Sequence, residues 1–177
     1  MYPPDVNTLH ALETARLLLS PLAGEDAGFI LELLNEPAFV RDIGDKGVRT
    51  LEDAHAYLAT GPLDSYQRYG FGLLRVSLKQ SGEPIGICGL LKRDILELPD
   101  LGYALLERHW SRGYAIEAAT AVMHDAEQRL RLRRLCAITA LENPSSIRIL
   151  EKLGFRFLDI VALAGFDSPS RLFTWEI

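Results

Sequence analysis

Apolar residues in this chain recur with two different periods, and the switches between them divide it into short elements. Arg16 to Leu22 is a compact apolar run that reads as a strand ended at Pro21. Gly24-Glu25-Asp26 then opens a helix with Phe29, Ile30, Leu33 and Leu34 on one face, stopped before Pro37. Residues 38–49 read as a polar loop. Thr50, with Asp53 three places on, resembles a capping box and starts a helix expected to reach about Thr60, where Gly61-Pro62 ends it. Three closely linked strands follow at Phe71–Lys79, Pro84–Lys92 and Asp100–Leu106, and such short links predict antiparallel pairing. Beyond Gly113, Ala119, Val122, Met123, Ala126 and Leu130 fall at helical spacing. Arg134–Ala140 is a buried-type strand. A helix from Asn143-Pro144 carries Ile147, Leu150 and Leu153 and stops at Gly154 in a C-cap position. Phe155–Val161 and Arg171–Ile177 form a terminal hairpin that closes the sheet. Residues 1–12, with Pro3 and Pro4, read as a loose arm. Strands and helices interleave without repeats or linkers, which predicts one mixed α/β domain over residues 1–177.

Composition narrows the class of function. A chain of 177 residues buries a substantial core, and 48% apolar with 24% charged residues is ordinary for a globular protein. The net charge of -5 argues against direct nucleic-acid binding while allowing a local basic site, and mildly favours a cationic substrate. Cys88 and Cys136 lie far apart and form no CxxC pair, so neither a disulfide framework nor a metal site is indicated. No apolar run has membrane-spanning length and no signal-peptide pattern stands at the N-terminus, which points to the cytoplasm. A homodimer is compatible with all of this.

The chemistry concentrates in one stretch. Leu101-Gly102-Tyr103-Ala104-Leu105-Leu106 reads as a strand, and Trp110-Ser111-Arg112-Gly113-Tyr114-Ala115 leads directly into the Ala-rich helix. A strand, a tight basic glycine turn and a helix in that order suit an anion. The first amides of a helix have no internal partner, the macrodipole adds positive potential, Gly113 permits close approach and Arg112 adds a full charge. A pyrophosphate is the simplest such anion; a helix start without a ligand would use the same residues.

With these elements placed, the chain resembles the GNAT superfamily of acetyl-CoA-dependent N-acetyltransferases, and within it the RimJ/RimL-like group. The similarity rests on three segments in order: Thr14-Ala15-Arg16-Leu17-Leu18-Leu19; Asp100-Leu101-Gly102-Tyr103 followed by Trp110 to Ala118; and Asn143-Pro144-Ser145-Ser146 through Gly154-Phe155. The resemblance implies a splayed mixed central sheet flanked by helices on both faces, with acetyl-CoA in the V between two parallel strands. It implies that the strand ending near Leu105 pairs its backbone with the pantetheine arm. Trp110, Ser111, Arg112, Gly113, Tyr114 and Ala115 would then hold the pyrophosphate. Asn143 would hydrogen-bond the pantetheine and Ser146 would lie near the thiol. Two places depart from the broader pattern: Trp110 stands where Gln or Arg is frequent, and Ser111 where glycine is frequent.

Acetyl transfer to an amine needs a neutral nucleophile, a stabilised oxyanion and a thiolate leaving group. By the resemblance Asp100 occupies a position that is often acidic and is the candidate base, at the mouth of its strand. A solvated strand end is the competing reading, and Glu97, Glu107 and Glu142 are rival acids. Backbone near Leu105 is a candidate oxyanion donor. Asn143 and Ser146 would also serve as plain helix-capping residues. The tyrosine acid common in the superfamily falls here at Leu150, which leaves the general acid unassigned, and the reaction can proceed without one. His109 flanks the turn, and Tyr103 and Trp110 read as packing residues. The implied activity is transfer from acetyl-CoA to a primary amine, on a protein N-terminus or a small molecule. The alternative is a non-catalytic acyl-CoA-binding sensor on the same fold. Residues 38–49, the helix from Thr50 and residues 162–170 are expected to shape the acceptor pocket.

Overall fold

A computed structural model describes residues 9–177, so the Pro3-Pro4 part of the expected arm lies outside the described residues. One eight-stranded sheet runs through the described chain. Its strands are β1 (Leu12–Glu13), β2 (Leu17–Pro21), β3 (Leu73–Leu78), β4 (Pro84–Leu91), β5 (Asp100–Leu105), β6 (Arg134–Ala140), β7 (Arg156–Val161) and β8 (Ser170–Glu176), in the order β1-β2-β3-β4-β5-β6-β8-β7. All neighbours pair antiparallel except β5 and β6, which are parallel and share a single register pair, Asp100 with Cys136. A further bond from the Cys136 amide to the Pro99 carbonyl, 3.0 Å, fastens that junction. Beyond it the two strands part, and the splay expected from the resemblance is present.

The described residues form six α-helices, α1 (Ala27–Leu34), α2 (Pro37–Asp42), α3 (Leu51–Leu58), α4 (Asp64–Tyr69), α5 (Tyr114–Gln128) and α6 (Pro144–Lys152). Alternation along the strands sends successive side chains to opposite faces and builds two cores. On one face Leu101 and Leu105 of β5 pack with Ala118, Ala119, Val122 and Ala126 of α5 and Leu150 of α6. On the other, Ile87 and Ala104 meet Ile30, Leu33 and Leu34 of α1 and Ala54 and Leu58 of α3. The helices therefore cover both faces, and the two sides of the β5–β6 fork look onto different helices.

Three local expectations change. Pro37 does end α1, but it also occupies the first turn of α2, where its missing amide costs nothing, so part of the 38–49 loop is helical. Gly61-Pro62 does not end the Thr50 helix. The backbone widens to a π-type segment over Ala59–Leu63 that accommodates Pro62 and runs on into α4. That continuation seats Tyr66, whose hydroxyl accepts from the Leu22 amide at 3.0 Å and donates to the Leu73 carbonyl. Tertiary hydrogen bonds thus override a local stop signal. Leu12, expected at the end of the arm, pairs with Leu19 in β2, and Glu13 after it pairs with Leu18. The capping box is as read: the Thr50 hydroxyl accepts from the Asp53 amide and the Asp53 carboxylate from the Thr50 amide.

Candidate functional site

The fork is where the chemistry gathers. Leu105 ends β5, and the chain passes through a 3₁₀ turn at Glu107–His109 into residues 110–113 and then α5. Gly113 is the N-cap of α5 with φ +80°, and Ser111 also lies in the left-handed region, at φ +59°. Among the described residues no side chain caps this helix, and its first internal bond is Glu117 amide to Gly113 carbonyl, so the amides of Tyr114, Ala115 and Ile116 have no acceptor there. A left-handed residue costs a non-glycine side chain roughly 1 kcal/mol, a strain typical of backbone held for a ligand. Arg112 is exposed and makes no ion pair among the described residues. The turn is an open row of donors with a cation beside it.

What holds this turn was not legible in the sequence. Glu117, on the first turn of α5, accepts from the Thr14 hydroxyl at 2.6 Å, the Arg16 amide at 2.9 Å and the Arg16 Nε at 2.7 Å, and pairs with Arg16 Nη2 at 2.7 Å. Arg16 also donates through Nη1 to the Arg112 carbonyl at 3.0 Å and lies 4.5 Å over the Tyr114 ring. Residues a hundred positions upstream therefore brace the turn and bring it a second cation. Burial pushes the Glu117 carboxyl up, but the bonds from Thr14 and Arg16 outweigh it and leave its pKa below the usual range. Trp110 does more than pack: its Nε1 donates to the Leu105 carbonyl at 2.8 Å and fixes the strand end to the turn. His109 is turned away, buried with its Nε2 3.1 Å from Glu83 Oε1, and it anchors the 3₁₀ turn to the β3–β4 hairpin.

On the α5 side of the fork, Asn143 and Ser146 meet at the start of α6. Asn143 Oδ1 accepts from the Ser146 amide at 3.1 Å, which is the capping role, and its side-chain NH₂ has no acceptor among the described residues. The Ser146 hydroxyl lies 2.7 Å from the Tyr103 hydroxyl, across the fork from β5. Burial pushes the Tyr103 phenol well up, so it stays protonated. Tyr103, read as packing from the sequence, belongs to the polar lining.

Asp100 sits elsewhere than expected. It is neither an open strand mouth nor a solvated end: it lies at the closed junction, 1% exposed, with Oδ2 accepting from Arg93 Nε at 3.0 Å and Oδ1 buried without a partner among the described residues. Burial raises its pKa, against the pull of the Arg93 charge and hydrogen bond. The neighbouring Cys136 thiol donates toward the Leu98 and Pro99 carbonyls, and burial together with Asp100 pushes its pKa to about 12. The rival acids Glu97, Glu107 and Glu142 are all exposed. Among the described residues no group of His, Cys, Asp and Glu is arranged to hold a metal ion. No described helix is long and apolar enough to cross a membrane.

Comparison with known proteins gives a consistent picture. A family model described as an acetyltransferase (GNAT) domain matches residues 16–156, a span that holds both the turn and the fork. The uncharacterised N-acetyltransferase YoaA of Bacillus subtilis is 27% identical over 147 residues, covering 82% of each chain. The crystal structure of an acetyltransferase from Agrobacterium tumefaciens superposes with a TM-score of 0.82 at 25% identity, over 96% of each chain. RimL, the ribosomal L7/L12 α-N-protein acetyltransferase solved in complex with coenzyme A, has the same fold, with a TM-score of 0.79 over 95% of this chain and 98% of its own, at 15% identity.

Proposed function

The chain belongs to the GNAT acetyltransferase family, and from that membership and the geometry of the fork we infer that it transfers an acetyl group from acetyl-CoA directly to a primary amine, on a protein N-terminus or a small molecule. One observation carries the reading. β5 and β6 part after a single register pair, and the gap opens toward the unpartnered amides at the start of α5. A slot bordered by strand backbone and ending in an anion site suits a long, flexible thioester with a pyrophosphate at its far end.

Acetyl-CoA supplies an activated acyl group; this chain supplies position and protons. The amides from Ser111 to Ala115, with Arg112 and Arg16 beside them, take the pyrophosphate, and the Trp110–Leu105 bond sets their distance from β5. The free side-chain NH₂ of Asn143 donates to a pantetheine carbonyl while its oxygen caps α6, so capping and binding coexist on one side chain. Ser146, oriented by Tyr103, donates toward the departing sulfur. Asp100 takes the proton from the amine. Its unpartnered Oδ1 and raised pKa favour proton transfer over simple binding, and Arg93 keeps it in place. Cys136, held protonated beside it, is a poor nucleophile, which favours direct transfer over an acyl-enzyme.

The test is release of CoA thiol from acetyl-CoA across a panel of primary amines, read with a thiol reagent. Amine-dependent release supports the reading. Calorimetric binding of CoA with no release above background for any amine would establish the sensor alternative instead.

A further inference from the structure

Thr139 carries a buried hydroxyl to which the acetyl-transfer reading gives no part. It lies on β6, 6% exposed, and its Oγ1 has no hydrogen-bond partner among the described residues. Arg171, opposite it on β8, spends Nε on the Leu141 carbonyl at 3.1 Å. A desolvated hydroxyl without a partner is unfavourable, and a valine of the same shape would avoid the penalty. Ser20 and Ser77 are orphaned in the same way, but they stand on β2 and β3, which pair with each other at both positions, and no gap opens there. Thr139 differs because β6 has parted from β5 at its level. Asp100 and Cys136 form the single register pair of those strands, and Tyr103 and Thr139 each stand three residues beyond it, about 10 Å along. Alternation puts both on the face toward α5 and α6, Tyr103 with Leu101 and Leu105, and Thr139 with Leu135 and Ala137. From β5 the Tyr103 hydroxyl reaches that of Ser146 at the start of α6, 2.7 Å away. Hydroxyls from β5, β6 and α6 therefore border one level of the fork. Two are bonded to each other, and the third is unspent.

We propose that Thr139 donates a hydrogen bond to the sulfur of acetyl-CoA, completing with Ser146 a pair of donors for the departing thiolate. As the amine nitrogen bonds to the acyl carbon, the C–S bond breaks and its electron pair stays on sulfur, while the proton of the amine goes to Asp100. Neither hydroxyl has to give up its proton. A hydroxyl already fixed in a site closed to water needs no reorganisation when the charge appears. Its bond to a thiolate is charge-assisted and stronger than its bond to the neutral thioester. The interaction therefore grows along the reaction and speeds the chemical step instead of only tightening binding. Burial keeps the Tyr103 phenol protonated, so its hydroxyl still orients Ser146 as the negative charge develops.

This inference rests on the acetyltransferase reading, which sets the sulfur beside Ser146, and a binding measurement that needs no acceptor separates the two. Calorimetry compares CoA with desulfo-CoA, which lacks the sulfur, at an alkaline pH where a bound thiol ionises. The parent should prefer CoA. Thr139→Val keeps the shape and removes the hydroxyl, and should cut that preference about fivefold while binding desulfo-CoA as the parent does. Thr139→Ser should restore it. With an amine that supports thiol release, Thr139→Val should lower kcat about tenfold with little change in the KM for acetyl-CoA. It should melt no lower than the parent, because no hydrogen bond among the described residues is lost. A parental CoA preference in Thr139→Val overturns the inference and leaves the acetyltransferase reading intact. So does a Thr139→Val protein that melts well below the parent, which would show the hydroxyl spent inside the fold. No thiol release with any amine, beside a CoA preference that Thr139→Val removes, overturns the acetyltransferase reading and leaves the sulfur site standing.

Discussion

Removing the Glu117 side chain tests whether the cofactor turn is held from a distance. Glu117→Ala deletes the acceptor of four contacts, from the Thr14 hydroxyl, the Arg16 amide and two nitrogens of the Arg16 guanidinium. The guanidinium is 47% exposed and rehydrates on release, so its pair counts only as a surface ion pair, about 0.5–1 kcal/mol. The hydroxyl and amide bonds add about 1 kcal/mol together after solvent exchange. Loss of a carboxylate from the first turn of α5 adds roughly 0.5 kcal/mol. The sum is about 2–2.5 kcal/mol, which at this chain length corresponds to a fall in Tm of roughly 4–10 °C. CoA affinity should fall as well, by about fivefold or roughly 1 kcal/mol, because Arg16 is then free to leave the Arg112 carbonyl. Urea unfolding and calorimetry measure the two effects separately. The sign with pH is fixed: a carboxyl whose folded pKa is depressed stabilises above its unfolded value of about 4.3 and loses that contribution as pH falls through the folded pKa. The stability deficit of Glu117→Ala should therefore be largest near neutrality and shrink as pH falls below the unfolded value. A Tm within 1 °C of the parent at pH 7, or an unchanged CoA affinity, would refute the bracing role.

Three further outcomes follow from the same geometry. Gly113→Ala forces a side chain into φ +80° with Arg16 Nη2 3.3 Å from the new Cβ, and should cost about 1–2 kcal/mol of stability in denaturant unfolding and weaken CoA in calorimetry. Tyr103→Phe and Ser146→Ala should each lower kcat by about tenfold or more with little change in the KM for acetyl-CoA, and a double variant no worse than either single one would show that the two hydroxyls act together. Asp100→Asn should cut turnover near neutral pH by roughly one to two orders of magnitude, and should remove an acid limb that in the parent lies above the ordinary aspartate pKa of about 3.9, because burial raises that group. A parental pH–rate profile in that variant would move proton removal to another residue.

The order and type of nearly every element could be read from the sequence because each is a local property. The period of apolar residues marks β3, β4, β5 and α5, Thr50 and Asp53 cap α3 within four residues, and Asn143-Pro144 opens α6. The anion turn was equally local: the glycine, the cation and the free amides all lie between Trp110 and Ile116. Other features depended on residues far apart in sequence. Gly61-Pro62 fails to stop its helix because Tyr66 gains partners at Leu22, just beyond β2, and on β3, which no nearby residue announces. Arg16 and Glu117 find each other across 101 positions only because β2 passes the start of α5. Asp100 could be found as a strand-end acid, but whether it faced water or protein was decided by the junction with β6 and by Arg93 folding back over it. Periodicity assigns a residue to a face of an element. Its charge, its partners and its solvent are set by what the completed fold packs against that face, and at this fork those neighbours come from loops that carry no period at all.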